Sequence, residues 1–369
     1  MNLIPAEFYQ DIYLILVTIL SLFCLGKYAV YDEGRLYDGG QEDNFGIILL
    51  TLFLVLFIGF RPNAGHFVDM GAYYSRYRSA FGLNFHWTWD TDNKIFDNLL
   101  LWMASMRIDV NVFFVAIAAI YFSGMAVACS MLFPNDKMAA YLVCLAAFST
   151  FSYGVNGLKA GMAASLFLVA LAFNDRDNKW LTVLFILLSW GFHHSMMLPV
   201  VAFVVCKLVK DPRYFIWFWF FSLLMALAHV TFFMGIFEGM TDEQGAGYLA
   251  GAVETYKGFR FDFVLYSAIP ILIGYIARAN KLIVSENYEF LLNLYTLVNA
   301  IWLLCMYAEF TNRIAYLSWF MFPIVLIYPL LKEQWGDDQY PVFKSVATYH
   351  LLFTLFMTFI YYGMIKSTI

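Results

Sequence analysis

The sequence predicts an all-α protein, a polytopic membrane bundle of about ten to twelve helical spans, several of them short or broken. Three observations carry this. Of 369 residues, 62% are hydrophobic, 20% aromatic and only 13% charged, whereas a soluble domain averages ~45–50% apolar and about 25% charged residues. Twelve apolar segments recur, at about 9–30, 45–60, 109–131, 138–151, 156–173, 180–192, 195–209, 213–237, 261–279, 286–308, 313–331 and 342–364. Between them lie short polar loops, with one long exception running from Phe60 to Asp97. The whole chain, 1–369, reads as a single transmembrane domain.

The first segment has no basic residue before it and no small-residue cleavage site after it, so it is expected to be a retained span. The second ends at Phe60-Arg61-Pro62 and opens the polar interval, an outer-face loop and interfacial helix over 61–108. Within it, Ile95, Phe96, Leu99, Leu100 and Met103 alternate with Asp92, Lys94, Asp97 and Asn98 at helical spacing. That predicts a helix over Asn93–Arg107 lying on the outer interface. The segments 138–151 with 156–173, and 180–192 with 195–209, fall short of the ~20 residues that cross a bilayer. Each pair is either two steeply packed short helices or one broken element, with the breaks at Ser152-Tyr153-Gly154 and at Gly191-Phe192-His193-His194. Non-helical backbone at membrane depth survives only where protein or a water-filled cavity satisfies it, so both should line a cavity. A second outer loop, 238–260, carries Glu238, Asp242, Glu243, Glu254, Tyr256, Lys257 and Arg260 among glycines, and reads either as a lid or as a solvated loop. Trp87, Trp89, Trp180, Trp217, Trp219 and Trp335 near segment ends read as interface anchors.

Basic residues in alternate loops favour one set as cytoplasmic, namely those with Lys27, Arg35, Lys137, Arg176, Lys179, Lys207, Lys210, Arg213, Arg278, Lys281, Lys332 and Lys344. The long interval and the His193-His194 break then face away from the cytoplasm. The net charge of -5 is spread over many loops, which gives nucleic acid no basic patch to bind. Cys24, Cys129, Cys144, Cys206 and Cys305 sit in or beside apolar runs without zinc or redox spacing, and read as small core hydrophobes.

Ionisable groups at span ends are the candidates for chemistry, since a charge at the bilayer centre costs at least ~2.5–3.5 kcal/mol. Arg61 closes a span, and Asp69 and Tyr73 fall four apart on one face if a helix starts near Val68. Two readings stand for this group: a snorkelling arginine with an N-terminal helix charge, or part of a site. Lys159 follows Asn156 by three residues, and Arg313 follows Glu309. Each cation could be paired structurally. On the topology above, however, Arg61, Lys159 and Arg313 face one compartment, and three cations around one cavity suit a polyanion such as a diphosphate. His193 and His194, being adjacent, project in different directions and lack a third ligand at metal spacing, so no metal site is expected. A histidine bonded to phosphate and one bonded to a backbone carbonyl are both open.

These residues resemble the pattern of the EpsG-like family of bacterial exopolysaccharide polymerases, related in role to Wzy-type polymerases. An arginine closing an apolar run, a glycine turn and Asp-x-x-x-Tyr are matched by Arg61, Gly65, Asp69 and Tyr73. Asn-x-x-Arg-Gln-x-x-Ala is met by Asn156, Lys159 and Ala163, His-Ser with a later Pro by His194, Ser195 and Pro199, and Arg-x-x-Tyr by Arg313 and Tyr316. Two departures stand out. The turn between Arg61 and Asp69 is about two residues longer than the pattern, and Lys159-Ala160 replaces a forked donor and an amide with a point charge.

The resemblance implies a membrane glycosyltransferase of the GT-C-like kind, working at the outer face of the bacterial inner membrane without a cofactor. It would join oligosaccharide units carried on undecaprenyl diphosphate within the membrane lipid, with a chain-length regulator protein as a possible partner. Asp69 would take the hydroxyl proton, with Tyr73 positioning it. Arg61, Lys159, Arg313 and His194 would hold the diphosphate, and Arg76, Arg78, Asn156, His193 and Tyr316 the rest of the substrate. The rival from another class is a lipid-linked oligosaccharide flippase or sugar transporter, which would place its charges mid-span rather than gathered at one face. A sugar O-acyltransferase would need a better early Arg and His pair than Arg61 with His66.

Overall fold

The computed structural model describes residues 4–28, 40–241, 243–250, 258–282, 285–333 and 339–361, and among these every regular element is helical. In chain order the helices are α1 (Tyr9–Lys27), α2 (Gly40–Gly59), α3 (Met70–Ser79), α4 (Lys94–Ser105), α5 (Val110–Leu132), α6 (Lys137–Leu145), α7 (Thr150–Val155), α8 (Leu158–Asp175) and α9 (Lys179–Phe192). They continue as α10 (Met197–Leu208), α11 (Pro212–Leu227), α12 (Met234–Phe237), α13 (Glu243–Ala250), α14 (Phe261–Ala279), α15 (Glu286–Leu304), α16 (Thr311–Trp319), α17 (Phe322–Leu331) and α18 (Gln339–Leu355). Among the described residues, six stretches are long and apolar enough to cross a membrane: Ala6–Lys27, Val110–Leu132, Leu158–Asp175, Phe261–Ala279, Thr311–Leu331 and Gln339–Tyr361. Four shorter apolar helices accompany them, at Asp43–Gly59, Lys179–Phe192, His194–Leu208 and Pro212–Leu227. The chain is a multi-pass membrane bundle, as the composition predicts.

Two compact units divide it, Met1–Phe192 with Gly336–Ile369, and His193–Trp335. In the first, α5 lies between α2, α6 and α8, and α8 packs on α9. Small residues make this possible. A Cβ on Gly124 of α5 would come within 2.8 Å of Ser165 Oγ in α8, and one on Gly59 within 2.7 Å of the Val115 backbone. Without a hydrophobic force between helices in lipid, such close approach supplies the dispersion contacts that hold spans together. α18 returns to pack on α1 and α6, where Tyr13 donates to Leu145 O and His350 Nε2 meets Val143 O.

In the second unit α15 is central, touched by α10, α11, α14, α16 and α17. Several of its polar residues are satisfied internally. Asn299 accepts from Trp219 Nε1 at 2.8 Å and donates to Ser318 Oγ at 3.1 Å, and Tyr295 donates to Ser267 O at 3.0 Å. The span Thr311–Leu331 is 94% buried, so it is lined by protein and not by lipid.

Several expectations change. The first interruption falls at Asn156-Gly157, while Ser152-Tyr153-Gly154 is helical within α7, because Gly154 packs there on the Phe122 and Tyr121 rings. A further break at 146–149 separates α6 from α7. α3 begins at Met70, close to the expected start near Val68, and Asp69 is its N-cap in αR geometry without a side-chain cap bond. The helix expected over Asn93–Arg107 forms as α4, but its polar face is not solvated. Asp97 and Asn98 are 3% and 1% exposed because the loop before them folds over that face and satisfies both. Asp242, Glu254, Tyr256, Lys257 and Trp335 lie outside the described residues. All five cysteines are buried thiols, in keeping with the core reading.

Candidate functional site

Arg61 sits where α2 stops. Pro62 follows it, and the residue before a proline is biased away from helix. Phe60 N–H still reaches Leu56 O at 3.0 Å, and Arg61 then turns inward until it is 1% exposed, so it does not snorkel. Its Nη1 donates to Ile58 O at 2.8 Å and its Nη2 to Val155 O at 3.0 Å. Both acceptors belong to the last turns of helices, α2 and α7, where unpaired carbonyls carry partial negative charge. The Phe67 and Phe114 rings flank the guanidinium at 5.6 and 5.3 Å. Nε has no hydrogen-bond partner, and no carboxylate among the described residues pairs with Arg61. Burial lowers its pKa to about 10, so it is a cation at neutral pH.

Arg61 therefore fastens the end of α2 to the break between α7 and α8, and the break depends on glycine. A Cβ on Gly157 would meet the Tyr153 ring at 3.0 Å, and one on Gly161 would meet Tyr153 O at 2.9 Å. The chain turns at Asn156 and Gly157, with Gly157 N–H on Ser152 O, and α8 begins with Leu158 and Lys159. Asn156 Oδ1 is buried without a hydrogen-bond partner. The half-buried Lys159 thus stands in the first turn of α8, where the helix dipole adds positive potential.

Asp69 and Tyr73 are half-buried and one turn apart, with Tyr73 N–H 3.4 Å from Asp69 O, and the Tyr73 ring meets Phe96 of α4 edge-on at 5.5 Å. Asp69 lies two residues beyond Phe67, whose ring flanks Arg61. Arg76 has another attachment, its Nη1 bonding Asp97 Oδ1 at 2.6 Å, with Thr91 Oγ1 on the other carboxylate oxygen. Arg78 is exposed with its guanidinium 5.5 Å from the Tyr74 ring.

The second unit holds the remaining candidates. His193 is extended (φ -148°, ψ 117°), so the break expected here is present, and His194–Met196 forms a single 3₁₀ turn into α10. Both histidines are half-buried. Phe310 adopts φ 47° and ψ 42°, a left-handed conformation that strains a bulky residue. Arg313 follows one turn later, its N–H 2.7 Å from Phe310 O and its guanidinium 5.2 Å from that ring. Tyr316 is buried against Trp319 with ring centroids 5.5 Å apart. Trp302 Nε1 donates to Thr311 Oγ1 and fixes the start of α16.

The structure therefore sets Arg61, Asn156 and Lys159 at one helix break, places Asp69 and Tyr73 at the start of α3, which packs on α4 and α5, and sets Arg313 near Tyr316 in its own unit. Among the described residues, no three His, Cys, Asp or Glu side chains gather as a metal site. Sequence reasoning missed the Val155 carbonyl, Phe67 and Phe114, since no pattern marks which rings or carbonyls an arginine will meet. It also missed the burial of Asp97 and Asn98, which helical periodicity reads only as a polar face.

Compared with known proteins, residues 44–368 match the model of one family, described as the EpsG family. No curated protein and no solved structure matches the chain.

Proposed function

The chain belongs to the EpsG family, whose role is of the exopolysaccharide polymerase type, and from that premise we propose that it joins oligosaccharide repeat units carried on undecaprenyl diphosphate. The reaction is placed at the outer face of the bacterial cytoplasmic membrane. A hydroxyl of one unit attacks the anomeric carbon of the other, the bond to the lipid diphosphate breaks, and the diphosphate leaves with its electron pair. Asp69 takes the hydroxyl proton with Tyr73 beside it. Lys159 of the first unit meets the charge developing on the diphosphate, and Arg313 with His194 are the candidate anion-binding groups within the other unit. Asn156, Arg76 and Arg78 contact the remainder of the substrate in the first unit, and His193 and Tyr316 are the corresponding candidates in the second.

The observation that carries this reading is Arg61. A guanidinium 1% exposed, held by two carbonyls and no carboxylate, leaves a net positive charge inside the protein at Val155, the last residue of α7. Water screens such a charge weakly, so an anion arriving at the α7–α8 break is stabilised more than at a solvated lysine. These protein cations supply what a divalent ion would otherwise supply, and the proposed chemistry calls for no metal.

The test is deletion of the gene in its host, restoration as wild type, Asp69→Asn or Arg313→Ala, and separation of lipid-linked glycans by size. Single units accumulating outside, with polymer lost at normal protein level, support the polymerase. Units trapped on the cytoplasmic side identify a flippase, and unchanged polymer length in a variant returns that residue to a structural role.

A further inference from the structure

Trp87 and Trp89 are absorbed neither by the fold nor by the proposed chemistry. Their rings lie 5.6 Å apart at 60°, and they are 48% and 70% exposed. Exposed tryptophans in a membrane protein ordinarily anchor at the lipid headgroups, but three features of this loop point elsewhere.

The loop is pinned from beneath. Asn98, 1% exposed, accepts from Thr88 N–H at 2.9 Å and donates to Thr88 O at 2.9 Å and Lys94 O at 2.8 Å. Thr88, the residue between the two tryptophans, is therefore held like a ladder rung, and an anchor has no need of such fixation. The charge also has the wrong sign for an anchor. From Gly82 to Asp92 there is no Lys or Arg, while His86 and Asp90 are exposed and Asp92 follows. A segment meeting anionic headgroups carries the opposite charge. Finally, the loop joins α3, which Asp69 caps, to α4, and so continues the segment that carries the proposed base.

We propose that Trp87 and Trp89 form a stacking platform for a pyranose ring of the carbohydrate substrate, with Asp90 and His86 taking its hydroxyls. The inference rests on the reading that this protein handles saccharides. A pyranose has a C–H face that suits an aromatic surface and a rim of hydroxyls that suits carboxylate and imidazole acceptors. Two rings carried on a backbone already fixed at Thr88, each with only two side-chain torsions, lose little entropy when the sugar arrives.

The test uses the full chain in lipid nanodiscs, titrated with the oligosaccharide that mild acid releases from the host's lipid-linked pool, followed by saturation-transfer NMR. The wild type binds saturably, Trp87→Ala/Trp89→Ala weakens binding by about tenfold or more, and Trp87→Phe/Trp89→Phe, which keeps the rings, stays within a few-fold of wild type. Absence of wild-type binding overturns the platform, as does equal affinity in the alanine variant. Nanodiscs with brominated acyl chains provide the membrane arm. If bromine quenches wild-type fluorescence more than that of the alanine variant, the rings lie in lipid and the platform is wrong. Because the probe lacks the lipid diphosphate, binding is read without glycosyl transfer. Units trapped inside the deletion strain would refute the polymerase while leaving this titration decisive for the platform.

Discussion

Replacing Arg61 tests whether the guanidinium is an internal clamp. Arg61→Ala removes two charge-assisted hydrogen bonds to Ile58 O and Val155 O, about 1.5–3 kcal/mol each. It also removes two ring contacts, about 0.5–1 kcal/mol each. Against this loss of about 4–8 kcal/mol stands relief of the guanidinium's burial, several kcal/mol. The expected net destabilisation is about 2–3 kcal/mol, or roughly 5 °C in melting temperature at about 2 °C per kcal/mol for a unit of this size. Arg61→Lys keeps the charge but cannot span carbonyls on two helices, so it should lose about half as much. The assay is thermal unfolding of detergent-solubilised protein by fluorescence-detected size exclusion. If Arg61→Ala melts with the wild type, the clamp is refuted. If Arg61→Lys melts like the alanine variant, the retained charge contributes nothing.

Burial raises the Asp136 pKa from 3.8 to about 6, Tyr28 donating to its Oδ1 at 2.6 Å notwithstanding. The folded form thus holds the proton more tightly than the unfolded chain, and stability from this group rises as pH falls from about 6 toward 4. Asp136→Asn keeps the acceptor and should flatten that change, of the order of 2 kcal/mol, when melting is compared at pH 4.5 and 7. Gly161→Ala should destabilise by about 1–3 kcal/mol through its clash with Tyr153 O, and lower polymer output with it; a fully active, equally stable variant would show that the break can relax. Asn98→Ala should speed hydrogen exchange at Thr88 and its neighbours by about tenfold, and unchanged protection there would mean that the loop is held some other way. Lys159→Ala should abolish polymer while the protein still reaches the membrane at normal level, and normal polymer would remove it from the site.

The fold was legible because membrane spans write themselves as apolar runs, and lipid allows their backbone little besides helix. The break at His193 was legible too, since two histidines interrupt an apolar stretch. The α7–α8 break was displaced because Gly154 looked like a helix breaker, whereas it is a packing glycine against Phe122, and Gly157 and Gly161 make the turn. Arg61 was found by its position, but its burial could not be. A cation at a span end reads as snorkelling unless the distant Val155 carbonyl is known to be waiting for it. Asp97 and Asn98 misled in the same way, because helical periodicity reports a polar face without saying whether water or a folded loop satisfies it.

The return of α18 to α1 and α6 bears on how the protein is made. Every residue of the second unit is translated between α9 and α18, so α1 and α6 enter the bilayer with a flank that stays uncovered while the ribosome works through that insertion. At roughly 5–20 residues per second, the wait is on the order of ten seconds. During it Ser21, whose buried Oγ has no hydrogen-bond partner, and the small residues Ala139 and Ala146 face lipid or an assisting insertase. A chain shortened before Gln339 would keep that juvenile surface, and membrane quality-control proteases would meet a helix pair that never closed.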